Sequence, residues 1–255
     1  MKKYFLLLLL TMQLFSNQTL GVNEKLGTMV PLDLTFIDED SKQVTLKQLM
    51  DGKPTLLTLN YFRCAGICTP QLNELAQALS KVKLAENTDY KVISVDFAEN
   101  ETPSLAVRKK KNILHTMHRD YVQDAWHFVI GENNSSGKLA EHVGFQYKAV
   151  AMKSGEVGYI HPAMIVVLSP KGKITGYLEG MDQLPADITM AIHEAVKGRT
   201  RKAILRNNAP FCFTKTPEAD SAVNKATRII GLVSVLLFLA FFFFYLRKKS
   251  NSLKD

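Results

Sequence analysis

The sequence lacks three features that would each define a class of protein. It contains no internal repeat, so a repeat architecture is not expected. It has no arginine-rich amphipathic leader, which argues against mitochondrial import. It also lacks a strong excess of positive charge in its central part. Of the formal net charge of +8, Lys2 and Lys3 supply +2, residues 247–255 supply +3, and residues 4–246 carry the remaining +3. Since the basic balance lies mainly at the two ends, no nucleic-acid partner is expected.

The N-terminal end has the layout of a secretory signal peptide. Two lysines precede an apolar run from Tyr4 to Phe15, and small polar residues follow it. The run is too short to span a bilayer comfortably. Cleavage before Val22 would remove residues 1–21, and an uncleaved anchor is the alternative.

The C-terminal end has the composition of a membrane helix. Residues 229–246 contain no charged side chain, and eighteen helical residues cover roughly 27 Å of hydrocarbon. The basic residues 247–249 follow at once, which marks the cytoplasmic side. We therefore predict a transmembrane helix over 228–246, a cytoplasmic tail over 247–255, and a polar tether over 199–227.

This topology predicts a single-pass protein of the bacterial cytoplasmic (inner) membrane. Its functional domain, residues 22–198, should face the periplasm or the cell exterior. Exported compartments are oxidising, so a close pair of cysteines can form a disulfide there. The chain has three cysteines, and two of them, Cys64 and Cys68, are four positions apart. This pair could be a structural staple, a redox pair or a metal clamp, and a staple around so short a loop would gain little stability.

The pair lies where a predicted strand meets a predicted helix. Thr55–Phe62 is β-branched, aliphatic or aromatic apart from Asn60, as in a buried strand. Apolar residues then recur at helical spacing from Leu72 to Val82, and a proline suits the first turn of the helix. Cys64 should therefore lie in the loop and Cys68 at or near the helix start, where free N–H groups stabilise a thiolate.

The remaining pattern predicts an α/β fold, a thioredoxin-like sandwich. Further strands are expected at 90–97 and 126–131, a hairpin within 163–180, and helices within 101–114, 135–144 and 185–196. An added N-terminal hairpin should turn at 38–41. The basic run Arg108–Lys111 is interpreted as the solvated face of its helix.

Histidine supplies a candidate third ligand. Two thiolates are soft ligands that select Cu(I), and an imidazole can complete a trigonal site. Of the six histidines, His161 stands out because it precedes Pro162 and the apolar strand that follows. In a thioredoxin-like fold this loop faces the cysteine loop. The other histidines are interpreted as exposed or structural residues: His115, His118, His127, His142 and His193. Cys212, on the tether, is interpreted as an unpaired cysteine with no role in the site.

At these residues the chain resembles the Sco/SenC family of exported, membrane-tethered proteins that mature the copper centre of respiratory oxidases. The similar segments are "YFRCAGIC", "VISVDFAENETPSLA", "WHFVIG", "VGFQYK" and "YIHPAMIVVLSPKGKITGYLEG". The resemblance implies a copper site formed by Cys64, Cys68 and His161, holding Cu(I), with Cu(II) as a second form. It implies a metallochaperone whose partner is the copper-containing subunit of an oxidase. Ala65 and Thr69 depart from the family pattern, in which a proline often follows one of the cysteines.

Two enzyme functions are alternatives. A thiol-disulfide oxidoreductase would use Cys64 and Cys68 to reduce the cysteines of the oxidase copper site, with Cys64 as the attacking thiol. A thiol peroxidase would need Thr or Ser three residues before its reactive cysteine. Tyr61 and Ala65 occupy those positions, so that motif is absent. Asp96, at the end of a predicted strand, is a candidate for an electrostatic influence on the site.

Overall fold

The computed structural model describes residues 21–64, 66–98, 101–152 and 156–202, which all belong to one compact unit. In these ranges the strands are β1 Thr35–Ile37, β2 Gln43–Thr45, β3 Thr55–Asn60, β4 Lys91–Asp96, β5 Trp126–Gly131, β6 Lys148–Ala151, β7 Val157–Ile160, β8 Met164–Leu168 and β9 Ile174–Glu179. The helices are α1 Leu46–Met50, α2 Cys68–Leu79, α3 Pro103–His115, α4 Ser135–His142 and α5 Pro185–Val196, with a 3-10 turn at Gln123–Ala125.

A seven-stranded sheet organises the fold, with strand order β2-β1-β5-β4-β3-β8-β9. The three central neighbours β3, β4 and β5 are parallel, and β8 and β9 continue the sheet antiparallel. At the other edge, β1 pairs antiparallel with both β2 and β5. Because β3 and β4 are parallel, their carboxyl ends lie at the same edge of the sheet. The cysteine loop begins there, at the end of β3.

Both faces of the sheet are covered, and every residue of β3, β4 and β8 is buried. Apolar residues of α2, α3 and α5, such as Leu72, Ile113 and Ile192, pack on one face. Residues of α1 and α4 pack on the other face, together with Cys64 and Cys68. The α/β sandwich expected from the sequence is therefore observed, with the cysteines in a core layer.

The helix α1 and the two-stranded sheet β6–β7 were not predicted. Thr45 and Gln48 form a capping box that starts α1 directly after β2, because a threonine side chain can satisfy the free N–H groups of a first turn. The antiparallel pair β6–β7 forms a separate two-stranded sheet. Its short strands carry little apolar periodicity, and for this reason the sequence pattern did not indicate them.

The interpretation of Arg108–Lys111 as a solvated helix face is wrong for two of its residues. Lys109 and Lys110 are each only 8% exposed. Lys110 forms an ion pair with Glu39, and Lys109 donates a hydrogen bond to Thr69 Oγ1 at 2.7 Å. A buried ammonium needs such partners, and they come from segments remote in sequence.

The predicted signal peptide and membrane helix lie outside the described residues. Within the described ranges, no helix combines the length and the apolar character needed to cross a bilayer. Residues 199–202, the start of the predicted tether, are described and stay bonded to the domain, since Arg201 N–H donates to the Thr175 carbonyl at 2.8 Å.

Candidate functional site

The cysteine loop connects the end of β3 to the start of α2. A turn follows β3, in which Cys64 N–H donates to the Tyr61 carbonyl at 3.2 Å. Cys68 is the first residue of α2, and Thr69 Oγ1 donates back to the Cys64 carbonyl at 2.9 Å. The loop cysteine and the helix cysteine therefore occupy the positions that the sequence predicts, and no disulfide joins them in this structure.

His161 is brought to the cysteines from the segment between β7 and β8. Its Nε2 lies 3.1 Å from Cys68 Sγ, although the two residues are 93 positions apart in sequence. Its Nδ1 lies 3.0 Å from the Pro162 carbonyl oxygen. Since a carbonyl can only accept, Nδ1 carries a hydrogen, and Nε2 is the nitrogen available to a metal ion.

Cys64 completes the group, and its thiol is unusually acidic. It forms side-chain hydrogen bonds with Cys68, His161 and Tyr61. The hydrogen bond from Cys68 is the largest influence, and together these contacts outweigh burial and lower the pKa of Cys64 to about 3. The sequence argument had assigned thiolate stabilisation to the helix start, but its main source is the neighbouring thiol.

This acidity makes a testable prediction. A Cys64 thiolate should absorb near 240 nm from neutral pH down to about pH 4, because its pKa is lowered from the ordinary 9.0 to about 3. A depressed pKa means that the thiolate stabilises the fold fully above pH 9.0 and loses that contribution as the pH falls through about 3. The measurement is the absorbance difference between the reduced wild-type chain and Cys64→Ser across pH, with circular dichroism to verify folding. A midpoint near that of an ordinary thiol would contradict the assignment.

The site is enclosed by an aromatic shell that the sequence did not reveal. His161 and Cys68 are fully buried, and Cys64 is 3% exposed. The His161 ring lies 5.2 Å from Phe97 and 5.7 Å from Phe145, centroid to centroid. Further rings extend this shell: Tyr61, Tyr147 and Tyr159. Such surroundings exclude water and lower the local dielectric constant.

The three predicted ligands are in contact with one another. Their donor atoms are not arranged around a position that a metal ion could occupy. Across the described ranges, no group of three or more His, Cys, Asp or Glu side chains is already arranged to hold a metal ion. The reason is local, because the donor atoms of Cys64, Cys68 and His161 are hydrogen-bonded to each other. These are the deprotonatable soft donors that a metal ion can use once it replaces the shared hydrogens.

The other candidate residues lie elsewhere. His127 Nδ1 is 3.4 Å from Glu39. His115 and His118 line a surface groove with Lys111 and Asp120, while His142 ends α4 and His193 lies on α5. Cys212 lies outside the described residues. Asp96 is 1% exposed and ends β4, and its carboxyl group is hydrogen-bonded to Glu101.

Fold and site together define a thioredoxin-like protein with a buried cluster of two thiols and one imidazole. The SCO1/SenC family model matches residues 25–197, and the chain therefore belongs to the SCO1/SenC family. The SCO1 protein homolog of Bacillus subtilis is 28% identical over 155 residues, which cover 60% of this chain and 75% of that protein. The resemblance expected from the sequence is confirmed.

Two solved structures illustrate the likeness. BsSco, described as a member of the Sco family of cytochrome c oxidase assembly proteins with a disulfide switch, is 25% identical with a TM-score of 0.51. The match covers 69% of this chain and 97% of that one. Arabidopsis thaliana ScoI with copper bound is 20% identical with a TM-score of 0.53, and the match covers 68% and 98% of the two chains. The latter likeness supports the shared fold.

Proposed function

We propose that this protein is a copper chaperone that holds Cu(I) through Cys64, Cys68 and His161 and passes it to the copper centre of a respiratory cytochrome c oxidase. The observation that carries the proposal is the contact of 3.1 Å between Cys68 Sγ and His161 Nε2, with Cys64 hydrogen-bonded to both. Family membership and the copper-bound relative support the choice of cargo, and the description of BsSco supports the oxidase as acceptor.

The side chains fit Cu(I) after a small movement. Metal bonds of about 2.3 Å to sulfur and about 2.0 Å to nitrogen place the two atoms about 3.7 Å apart in a trigonal site. The observed separation is 3.1 Å, so the cysteine and the histidine must separate by roughly 0.6 Å. Loading replaces the Cys68 proton by the metal ion, and transfer to an acceptor thiolate proceeds by exchange of one ligand at a time.

The experiment is an anaerobic titration of the reduced full-length chain, in detergent, with Cu(I). One equivalent should bind, and X-ray absorption should show two sulfur neighbours and one nitrogen neighbour. Wild-type protein that binds no Cu(I), or a copper ion without nitrogen ligation, would overturn the assignment of the site.

A second function is favoured by the acidity of Cys64. Its thiolate could attack a disulfide of the oxidase copper site, forming a mixed disulfide and releasing one acceptor thiolate. Cys68 would then attack Cys64, leaving a Cys64–Cys68 disulfide and a fully reduced acceptor. Another thiol reductant must regenerate the pair. Turnover of an acceptor disulfide by metal-free protein tests this role separately.

We further propose that the domain faces the outside of the cytoplasmic membrane, held there by a helix at 228–246. A chain ending at residue 227 should bind Cu(I) within about twofold of the full chain, since the proposed ligands all precede residue 199. It should mature oxidase several-fold less well at native abundance, because membrane confinement raises the effective concentration of the acceptor. Oxidase activity in cells that lack the native protein is the readout. Full restoration by the shortened chain at matched abundance would show that the anchor is dispensable.

A further inference from the structure

The cysteine loop rests on a buried charged layer that the proposed copper ligands do not use. Glu101 precedes α3 and its side chain is 3% exposed. Its two carboxylate oxygens accept the backbone N–H groups of Phe62 at 2.6 Å and Arg63 at 2.9 Å. A carboxylate from nearly forty residues away thus holds the segment immediately before Cys64.

Asp96 and Arg63 also stabilise the Glu101 carboxylate, in addition to the two backbone N–H groups. One buried oxygen of Asp96, Oδ2, has no hydrogen-bond partner if both carboxyl groups are ionised. Burial, followed by the hydrogen bond to Glu101 and its charge, raises the pKa of Asp96 to about 10. Asp96 therefore carries a proton that it donates to Glu101. The Arg63 guanidinium lies 3.9 Å from the same carboxylate, so Glu101 has no need of a further cation.

Lys109 is a buried cation of this layer. It lies on α3, is 8% exposed, and donates to Thr69 Oγ1 at 2.7 Å. Thr69 Oγ1 in turn donates to the Cys64 carbonyl at 2.9 Å. This chain of hydrogen bonds links the ammonium to the backbone of Cys64, in the loop just before Cys68. Burial lowers the pKa of Lys109, and attraction to the cysteine pair opposes that shift.

Charge counting shows which forms of the site this ammonium favours. A Cu(I) ion held by two thiolates carries a net charge of −1, whereas the Cys64–Cys68 disulfide is neutral. A positive charge fixed nearby in a poorly solvated region stabilises the anionic form over the neutral one. Lys109 is the cation placed to act in this way, because Arg63 faces Glu101 and is largely exposed.

We infer that Lys109 is a positioning residue of the site: through Thr69 it holds the Cys64 backbone, and its charge keeps the pair in the reduced, copper-accepting form. This inference rests on the proposed function for its copper part. Its redox part concerns the two cysteines alone. Reduction of the disulfide by two glutathione molecules yields the dithiol and one glutathione disulfide, so its equilibrium can be measured without copper.

The test uses the full-length chain in detergent with three substitutions at one position. Lys109→Met removes the charge and the donor, Lys109→Gln keeps a donor without charge, and Lys109→Arg keeps the charge. Lys111→Met, an exposed position on the same helix, is the matched control. Two quantities are measured for each folded variant: Cu(I) affinity against a chromophoric chelator, and the equilibrium with glutathione.

We expect Lys109→Met and Lys109→Gln to bind Cu(I) about tenfold more weakly than wild type. Both variants should also shift the glutathione equilibrium about tenfold toward the disulfide, which is about 30 mV for a two-electron couple. Lys109→Arg should lie within about threefold of wild type, as should Lys111→Met. Normal values for Lys109→Gln would show that the hydrogen bond alone matters. If Lys109→Arg were as impaired as Lys109→Met, Lys109 would act only through the packing of its side chain. Either result overturns the inference.

Failure of the proposed function gives a different pattern. If the wild-type chain binds no Cu(I), copper delivery is excluded, while the glutathione equilibrium still tests the charge of Lys109. If Lys109→Met does not fold, the Gln and Arg variants decide the question, because both keep a polar end that can reach Thr69.

Discussion

Cys68→Ser is expected to abolish useful Cu(I) binding, with affinity reduced about 1,000-fold, because one of the three proposed ligands is lost and a serine oxygen is a poor donor to soft Cu(I). Cys68 also makes the contact of 3.1 Å with His161 and the hydrogen bond that contributes most to the acidity of Cys64. The same substitution also removes the residue with which Cys64 could form a disulfide.

Competition with a chromophoric Cu(I) chelator measures the affinity, and absorbance near 240 nm measures the thiolate. Cys212→Ser is the matched control, because the sequence predicts an unpaired bystander on the tether, and it should behave as wild type. Stoichiometric tight binding by Cys68→Ser would remove this residue from the proposed ligand set. Loss of binding in Cys212→Ser would instead place the tail in the site.

His161→Ala is expected to separate the two proposed functions. Cu(I) affinity should fall about 100-fold with the loss of one ligand, and the nitrogen contribution to X-ray absorption should disappear. Cys64 and Cys68 remain, so disulfide exchange with a thiol reagent should continue. The reason is structural: His161 contributes a ring nitrogen from the segment before β8, while both sulfurs come from the junction between β3 and α2.

The informative measurement is oxidase maturation in cells that carry His161→Ala. Loss of maturation with intact cysteine reactivity supports copper delivery, and normal maturation would assign the protein to disulfide reduction. His142→Ala, at an exposed position at the end of α4, is the control for a generic effect of losing an imidazole. Thermal unfolding of both variants verifies that the aromatic shell around the vacated position still packs.

The two proposed functions share one chemical origin in the reduced pair. A thiolate is both the metal ligand and the attacking nucleophile, and the contacts that acidify Cys64 serve either use. The aromatic shell, including Phe97 and Phe145 around His161, shields the dithiol from water and would shield a copper ion bound there. Transfer to an acceptor, by either proposed function, would therefore require that docking or local opening expose sulfurs that are now buried.

Much of the architecture follows from local pattern. The strand Trp126–Gly131 and the helix Pro185–Val196 have the bounds that the sequence predicts, because buried apolar runs and an initial proline are local signals. The junction that carries Cys64 and Cys68 was predictable for the same reason. Where local signals are weak, as in β6–β7, or compete, as where the Thr45 capping box interrupts an expected strand, the pattern was insufficient.

The sequence by itself determined most of the elements, the position of the cysteines and, through its motifs, the family. Only the tertiary structure decided which side chains meet. His161 reaches Cys68 across 93 positions, Lys109 reaches Thr69 across 40, and Glu101 reaches Arg63 across 38. Periodicity records whether a residue faces the core, but its partner there depends on strand order and on how distant segments pack. For that reason a basic run that reads as a solvated helix face places Lys109, a buried cation, beneath the cysteine loop.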